Sequence, residues 1–198
     1  MAARTPKKNE LSFTVIAGEL KGRRITSPDL GVTRPPLTRL RRSIFDFLNP
    51  HIELARYLDL FSGTGSYLFE AVSRGASLAV GVEAEPALAE AINTQAAQFG
   101  VATRLQCRCQ DVFDAIPRMA ELGERFDVIM MAPPQYKGLI SRTLETIRHC
   151  NVTADDTLII CQHDSSETDE IDWAGYHIRQ QRRYGNTTFS VLTVETDD

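Results

Sequence analysis

The sequence predicts an α/β fold, a mostly parallel sheet with helices on both faces, preceded by a β-hairpin and a basic helix. Three observations predict it. From residue 56 onward, short apolar runs of strand length alternate with longer runs of helical period. Each strand pattern closes on a turn or an acid, and the last two patterns meet at Gly185-Asn186 in hairpin fashion, which makes the sheet mixed. A length of 198 residues suits one domain, and no apolar run approaches the ~18 residues of a membrane span.

Taken in order, residues 1–10 are basic, lead into no apolar signal region and read as a disordered leader. Residues 12–26 hold two short strand patterns around a turn near Gly18 to Gly22, a hairpin. Thr33-Arg34-Pro35-Pro36 breaks the chain. Leu37, Leu40, Ile44, Phe45 and Leu48 then recur at three- and four-residue steps, an amphipathic helix that Asn49-Pro50 ends. Strands are expected at Tyr57–Leu60, Leu78–Glu83, Arg104–Cys109, Phe126–Met131 and Asp156–Gln162. Helices are expected between them at Ser66–Arg74, Pro86–Phe99, Val112–Leu122 and Leu139–Cys150. The tail adds strands at Tyr176–Arg183 and Thr187–Thr196, and Asp164 to Asp172 with Trp173 reads as a surface loop. The expected division is a leader at 1–10, an extension at 11–50 and a main domain at 51–198.

The net charge of −4 hides an asymmetry. Residues 1–42 carry ten Lys or Arg against three acids, a net +7 that leaves −11 for the rest. A basic segment on an acidic body suits a face that meets a polyanion, and equally a solvated helix face. Arg23, Arg34, Arg39 and Arg41 are the candidate phosphate contacts. The four cysteines, Cys107, Cys109, Cys150 and Cys161, are scattered and form no C-x-x-C pair. They read as reduced apolar residues, with no disulfide framework and no metal site, in a cytoplasmic protein.

In open α/β sheets the ligand crevice lies outside the carboxyl ends of the strands. The first strand of the alternating region ends Asp59-Leu60-Phe61-Ser62-Gly63-Thr64-Gly65. Gly63 and Gly65 allow a tight turn and close approach of a ligand. A dinucleotide fingerprint needs a third glycine where Leu68 stands, and Asp59 would repel a pyrophosphate but suits an ammonium group. Glu83, 18 residues after Gly65 at the next strand end, suits a ribose. Asp111, after the third strand, suits an adenine amine. Each acid taken alone reads equally as a helix cap. Together with the glycines they fit S-adenosylmethionine.

The fourth strand ends in Ala132-Pro133-Pro134-Gln135-Tyr136. Two prolines fix an extended backbone, and an aromatic ring beyond them can stack on a planar base. A proline-rich turn with a surface tyrosine is the plainer reading.

Several segments together resemble the RsmD-type family of small-subunit (16S) ribosomal RNA guanine-N2 methyltransferases. They are Val15-Ile16-Ala17-Gly18-Glu19-Leu20-Lys21-Gly22-Arg23; Thr33-Arg34-Pro35 with Arg39 and Arg41; Asp59 to Gly65; Glu70-Ala71-Val72-Ser73-Arg74-Gly75-Ala76; and Arg183-Tyr184-Gly185-Asn186-Thr187. The resemblance implies a Rossmann-like class I methyltransferase with a seven-stranded sheet, and an N-terminal hairpin and helix that help grip RNA. It also implies S-adenosylmethionine as cofactor at Asp59, Phe61, Ser62, Gly63, Thr64, Gly65, Glu83 and Asp111. Small-subunit ribosomal RNA, free or in an assembling particle, is the implied partner of a monomer. One motif departs from the family. There an Asp or Asn precedes the two prolines and a Tyr follows them directly; here Ala132 takes the first place and Gln135 is inserted before Tyr136. The family's first residue binds the target amine, which leaves the carbonyls of Ala132 and Pro133, or the Gln135 amide, for that task. It also leaves open a catalytically lapsed RNA-binding relative or a methyltransferase with a non-RNA substrate.

Overall fold

The computed structural model describes residues 10–31, 38–173 and 175–194. Strands β1 (Glu10–Thr14) and β2 (Arg24–Pro28) form an antiparallel hairpin, and helix α1 (Thr38–Ile52) follows. Then come β3 (Arg56–Leu60), α2 (Ser66–Ser73), β4 (Leu78–Glu83), α3 (Pro86–Gln98), β5 (Leu105–Cys109), α4 (Val112–Glu121) and β6 (Phe126–Met131). Last among the described residues come α5 (Leu139–His149), β7 (Thr153–Asp164), β8 (Tyr176–Tyr184) and β9 (Thr187–Val194). Strands β3 to β9 make a seven-stranded sheet in the order β5-β4-β3-β6-β7-β9-β8. It is parallel from β5 to β7, and β9 runs antiparallel to both β7 and β8. The chain enters the sheet at its middle, winds outward through β4 and β5, and returns to β6 beside β3. That reversal opens a crevice above the carboxyl ends of β3 and β6.

Side chains alternate across the sheet, so the parallel strands are apolar on both faces. Tyr57, Val128 and Met130 join the core under α1, α2 and α3. Leu58, Leu60, Ile129 and Met131 join the core under α4 and α5. In α1 the residues Leu40, Ile44, Phe45 and Leu48 are buried, as their spacing predicts. The helix runs on to Ile52 instead of ending at Asn49, because Leu48 and Ile52 pack into the core while Pro50 in the last turn forfeits one hydrogen bond. Residues 1–9 of the expected leader, the break at 33–36 and Leu37 lie outside the described residues; Glu10 already pairs with Pro28.

The hairpin is fastened to the main sheet's helices by polar groups. Glu70 on α2 is fully buried, and its carboxylate accepts the Ile16 N–H at 2.9 Å, the Ala17 N–H at 3.2 Å and Arg74 Nε at 2.8 Å. Ser73 accepts the Leu20 N–H at 2.9 Å and donates to the Ala17 carbonyl. Gln95 on α3 exchanges two amide hydrogen bonds with the backbone of Thr26. Two of the segments that carry the family resemblance, 15–23 and 70–76, therefore touch each other. The acidic run beyond β7 is more ordered than a surface loop. Asp164 caps a single 3-10 turn at Ser165–Glu167, and the ring of Trp173 lies 5.8 Å from that of His163.

Candidate active site

The loop Phe61–Gly65 joins β3 to α2 with positive φ at Phe61, Gly63 and Gly65. It is tied to β4 by the Phe61 and Ser62 N–H groups, which donate to the Val82 carbonyl at 3.2 and 2.9 Å. A Cβ on Gly65 would lie 2.8 Å from Ile92 Cγ1, and one on Gly81 would lie 2.6 Å from both Ser62 Oγ and Leu68 Cδ1. Gly81, a glycine inside a strand, thus lets this loop settle onto the sheet. Ser62 Oγ donates to the Asp59 carbonyl at 2.9 Å, and Thr64 is buried.

Asp59 is the electrostatic centre. Its side chain is fully buried and neither carboxylate oxygen has a hydrogen-bond partner. Burial, reinforced by the negative charge of Glu83, pushes its pKa up to about 8. A buried carboxylate without a partner is costly when ionised, and a cation brought to it relieves that cost. An ammonium group is the chemistry that fits. Glu83 accepts the Gly63 N–H at 2.7 Å and the Glu85 N–H at 2.9 Å, which clasps the loop to the start of α3. Asp111 is exposed and caps α4, with its Oδ1 accepting the Phe113 N–H at 2.8 Å. Both acids hold backbone in place, and carboxylate oxygens retain further acceptor capacity. Asp59, the glycine loop, Glu83 and Asp111 lie at three neighbouring strand ends.

The segment after β6 stands at the same edge. Pro133 is buried, Ala132 is half-buried, and Pro134, Gln135 and Tyr136 are exposed. Tyr136 has φ of 60° and its N–H donates to Glu167 Oε1 at 2.7 Å, so the turn beyond β7 props this loop. Pro133, Pro134 and Tyr136 line an open cleft with Gln162, His163 and Ile171. His163 is buried and both ring nitrogens are engaged, by the Asp164 carbonyl at 2.8 Å and Ser190 Oγ at 3.0 Å. Among the described residues no cluster of three or more His, Cys, Asp or Glu could hold a metal ion.

The arginines separate. Arg39 is exposed at the start of α1 and lies over the Tyr184 ring, 5.8 Å from its centroid, at the carboxyl end of the sheet. Arg23 lies over Phe99, just past the end of α3 and therefore at the opposite end. Arg34 is outside the described residues. Arg41 corrects the expectation of a phosphate contact. It is 1% exposed, with Nη2 donating to the Thr14 carbonyl at 2.6 Å and Nε 3.8 Å from Glu70. Position 41 falls on the buried stripe of α1, between Leu40 and Ile44. Charge counting along the N-terminus also missed Arg179, Arg182 and Arg183, exposed on the edge strand β8 that ends beside Arg39.

The family model described as conserved hypothetical protein 95 matches residues 13–193. The chain belongs to that family. A relative, the ribosomal RNA small subunit methyltransferase D of Escherichia coli K12, is 29% identical over 147 residues, or 73% of this chain and 71% of the relative. A Thermus thermophilus protein of known structure has 24% identity and a TM-score of 0.77, over 92% of this chain and 99% of that one. An RNA methyltransferase from Salinibacter ruber, solved with S-adenosyl-L-homocysteine, has 16% identity and a TM-score of 0.65 over 83% of this chain and 96% of that one. The matched relatives are named methyltransferases, and with the Rossmann-like sheet they place this chain among the S-adenosylmethionine-dependent methyltransferases of class I fold.

Proposed function

We propose that this methyltransferase uses S-adenosylmethionine to methylate the N2 amine of a guanine in small-subunit ribosomal RNA. The observation that carries the cofactor is Asp59, a buried carboxylate lacking a partner beside a glycine loop. Asp59 would take the cofactor's ammonium group, Gly63 and Gly65 would let it approach the backbone, and Glu83 and Asp111 would hold its ribose and adenine. S-adenosylmethionine supplies a methyl on a positively charged sulfur, which keeps the bonding pair as the methyl passes to the amine nitrogen, whose surplus proton goes to water.

The acceptor reading is supported by the relatives' names and by the cleft behind Pro133 and Pro134, which suits a planar base with Tyr136 stacked upon it. Arg39 and the arginines of β8 offer a basic path for the backbone along the same end of the sheet. Phosphate contacts of this kind position RNA without reading its sequence. Ala132 favours a second reading, a lapsed enzyme that still binds RNA. The fully assembled loop around Asp59 weighs against it.

The test supplies methyl-labelled cofactor and small ribosomal subunits lacking native methylation. Label in the RNA fraction supports the reading. Label in the protein fraction, or in neither while RNA still binds, replaces it with a protein methyltransferase or a lapsed relative.

A further inference from the structure

Ala132 leaves the motif after β6 without a polar side chain, yet the sheet sets one near it. Strands β6 and β7 are parallel, and Met130 pairs with Ile160 and Met131 with Cys161. One residue further on come Ala132, just past the end of β6, and Gln162, still within β7, and Ala132 packs against the same core under α1, α2 and α3 as Met130 and Ile160. Tyr67 on α2 donates its hydroxyl hydrogen to Gln162 Oε1. Tyr67 is itself buried and packs against Phe45, so the amide is held by a fixed group. Gln162 also lines the cleft with Pro133 and Pro134.

Three other polar groups of the cleft are committed or turned to solvent. Both nitrogens of His163 are engaged. Glu167 accepts the Tyr136 N–H with one oxygen and, at 3.4 Å, the Asp164 N–H with the other. Gln135 is exposed beyond the prolines. Gln162 retains a second lone pair on Oε1 and two N–H donors.

We propose that Gln162, oriented by Tyr67, is the residue that accepts an N–H of the target amine in this chain, so that the polar group of the motif has moved one strand over, from position 132 to position 162. The proposal rests on the reading that the acceptor is a base amine. An acceptor on the amine's hydrogen directs the nitrogen's lone pair and steadies the positive charge that develops there.

The test compares guanosine monophosphate with inosine monophosphate, which lacks the amine, by titration of the protein bound to S-adenosylhomocysteine. The wild type prefers guanosine by about tenfold, the scale of one well-placed hydrogen bond to a base edge. Gln162→Leu abolishes that preference while holding S-adenosylhomocysteine as the wild type does. Gln162→Glu, which keeps an acceptor oxygen, retains it, and adding Ala132→Asp to Gln162→Leu restores it. In methyl transfer Gln162→Leu lowers kcat by about 10²–10³ with KM for the RNA little changed. If Gln162→Leu melts well below the wild type, Gln162→Met takes its place, with the same outcomes. A leucine or methionine variant that keeps both the preference and kcat overturns the proposal alone. A wild type that ignores the amine and labels no base overturns the underlying reading, and this proposal with it.

Discussion

Gly18 stands so close to Ser73 that a Cβ built on it would lie 1.6 Å from the Ser73 carbonyl oxygen. The hairpin turn thus rests backbone to backbone on the end of α2, with the Glu19 N–H donating to that same carbonyl at 2.8 Å. Gly18→Ala must displace backbone and also tolerate φ of 82°. We expect a loss of about 2 kcal/mol or more, of which about 1–2 kcal/mol is the left-handed conformation itself. Gly22 has the same φ with nothing within 4 Å, so Gly22→Ala is expected to lose only the conformational part. Urea denaturation of the two variants checks the difference.

Arg41 and Arg39 are two residues apart on α1 and are expected to fail in different ways. Arg41→Gln removes the guanidinium's hydrogen bond to the Thr14 carbonyl and its weaker pairing with Glu70, which Arg74 still compensates, a cost of about 1–3 kcal/mol. Burial already pulls the Arg41 pKa below its ordinary value, with Glu70 opposing. Arg39→Gln, on an exposed residue, leaves stability unchanged. It weakens binding of small-subunit RNA and flattens the salt dependence of that binding by about one phosphate contact. Denaturation and filter binding at several salt concentrations distinguish them.

The raised pKa of Asp59 makes both stability and cofactor affinity depend on pH. Its folded value of about 8 lies above the unfolded 3.8, so it contributes stability that is full below pH 3.8 and is lost as pH rises toward 8. The contribution of Asp59 to the cofactor-free protein therefore declines across that window, by on the order of 4 kcal/mol at neutral pH. Asp59→Asn removes this dependence and stabilises the empty protein at pH 7. An ammonium group prefers the ionised carboxylate, so affinity for S-adenosylmethionine rises with pH toward about 8 and falls again as the cofactor's own amino group loses its proton. In Asp59→Asn the rise disappears and affinity falls about 10–100-fold, the loss of one charge-assisted hydrogen bond. Calorimetry between pH 5 and 9 measures both effects.

Tyr136 is 67% exposed, and its backbone is held by Glu167 rather than by its ring. Tyr136→Ala should therefore leave the fold and cofactor affinity intact. It lowers RNA methylation about 10–100-fold, the scale of losing one base–aromatic stack of ~1–3 kcal/mol. Single-turnover rates on under-methylated particles check it.

The strand and helix order was legible because periodicity and turn residues agree at nearly every element. Leu40, Ile44, Phe45 and Leu48 marked α1, and Asp59 with Gly63 and Gly65 marked the first strand end. What the sequence hid was orientation. Arg41 carries the same charge as Arg39, and its burial follows only from the angular position that sets it against Glu70, 29 residues away. The spacing of Arg41 four residues before Phe45 was the available signal. Gly81 inside an apolar strand was a second one, since a glycine there marks close approach. Gln162 gave no signal at all. It follows an ordinary apolar run in β7, and its place near Ala132 depends on which strands pair and in what register.

The measurement that tests the central claim most directly is the site of methyl transfer. Small subunits lacking native methylation are incubated with the protein and methyl-labelled S-adenosylmethionine, and the RNA is digested to nucleosides and separated by mass. The account predicts one labelled product, N2-methylguanosine, formed by the wild type and strongly reduced by Asp59→Asn. Label on another nucleoside, or an unlabelled RNA under conditions where a relative with Asp before the two prolines labels it, would contradict the account.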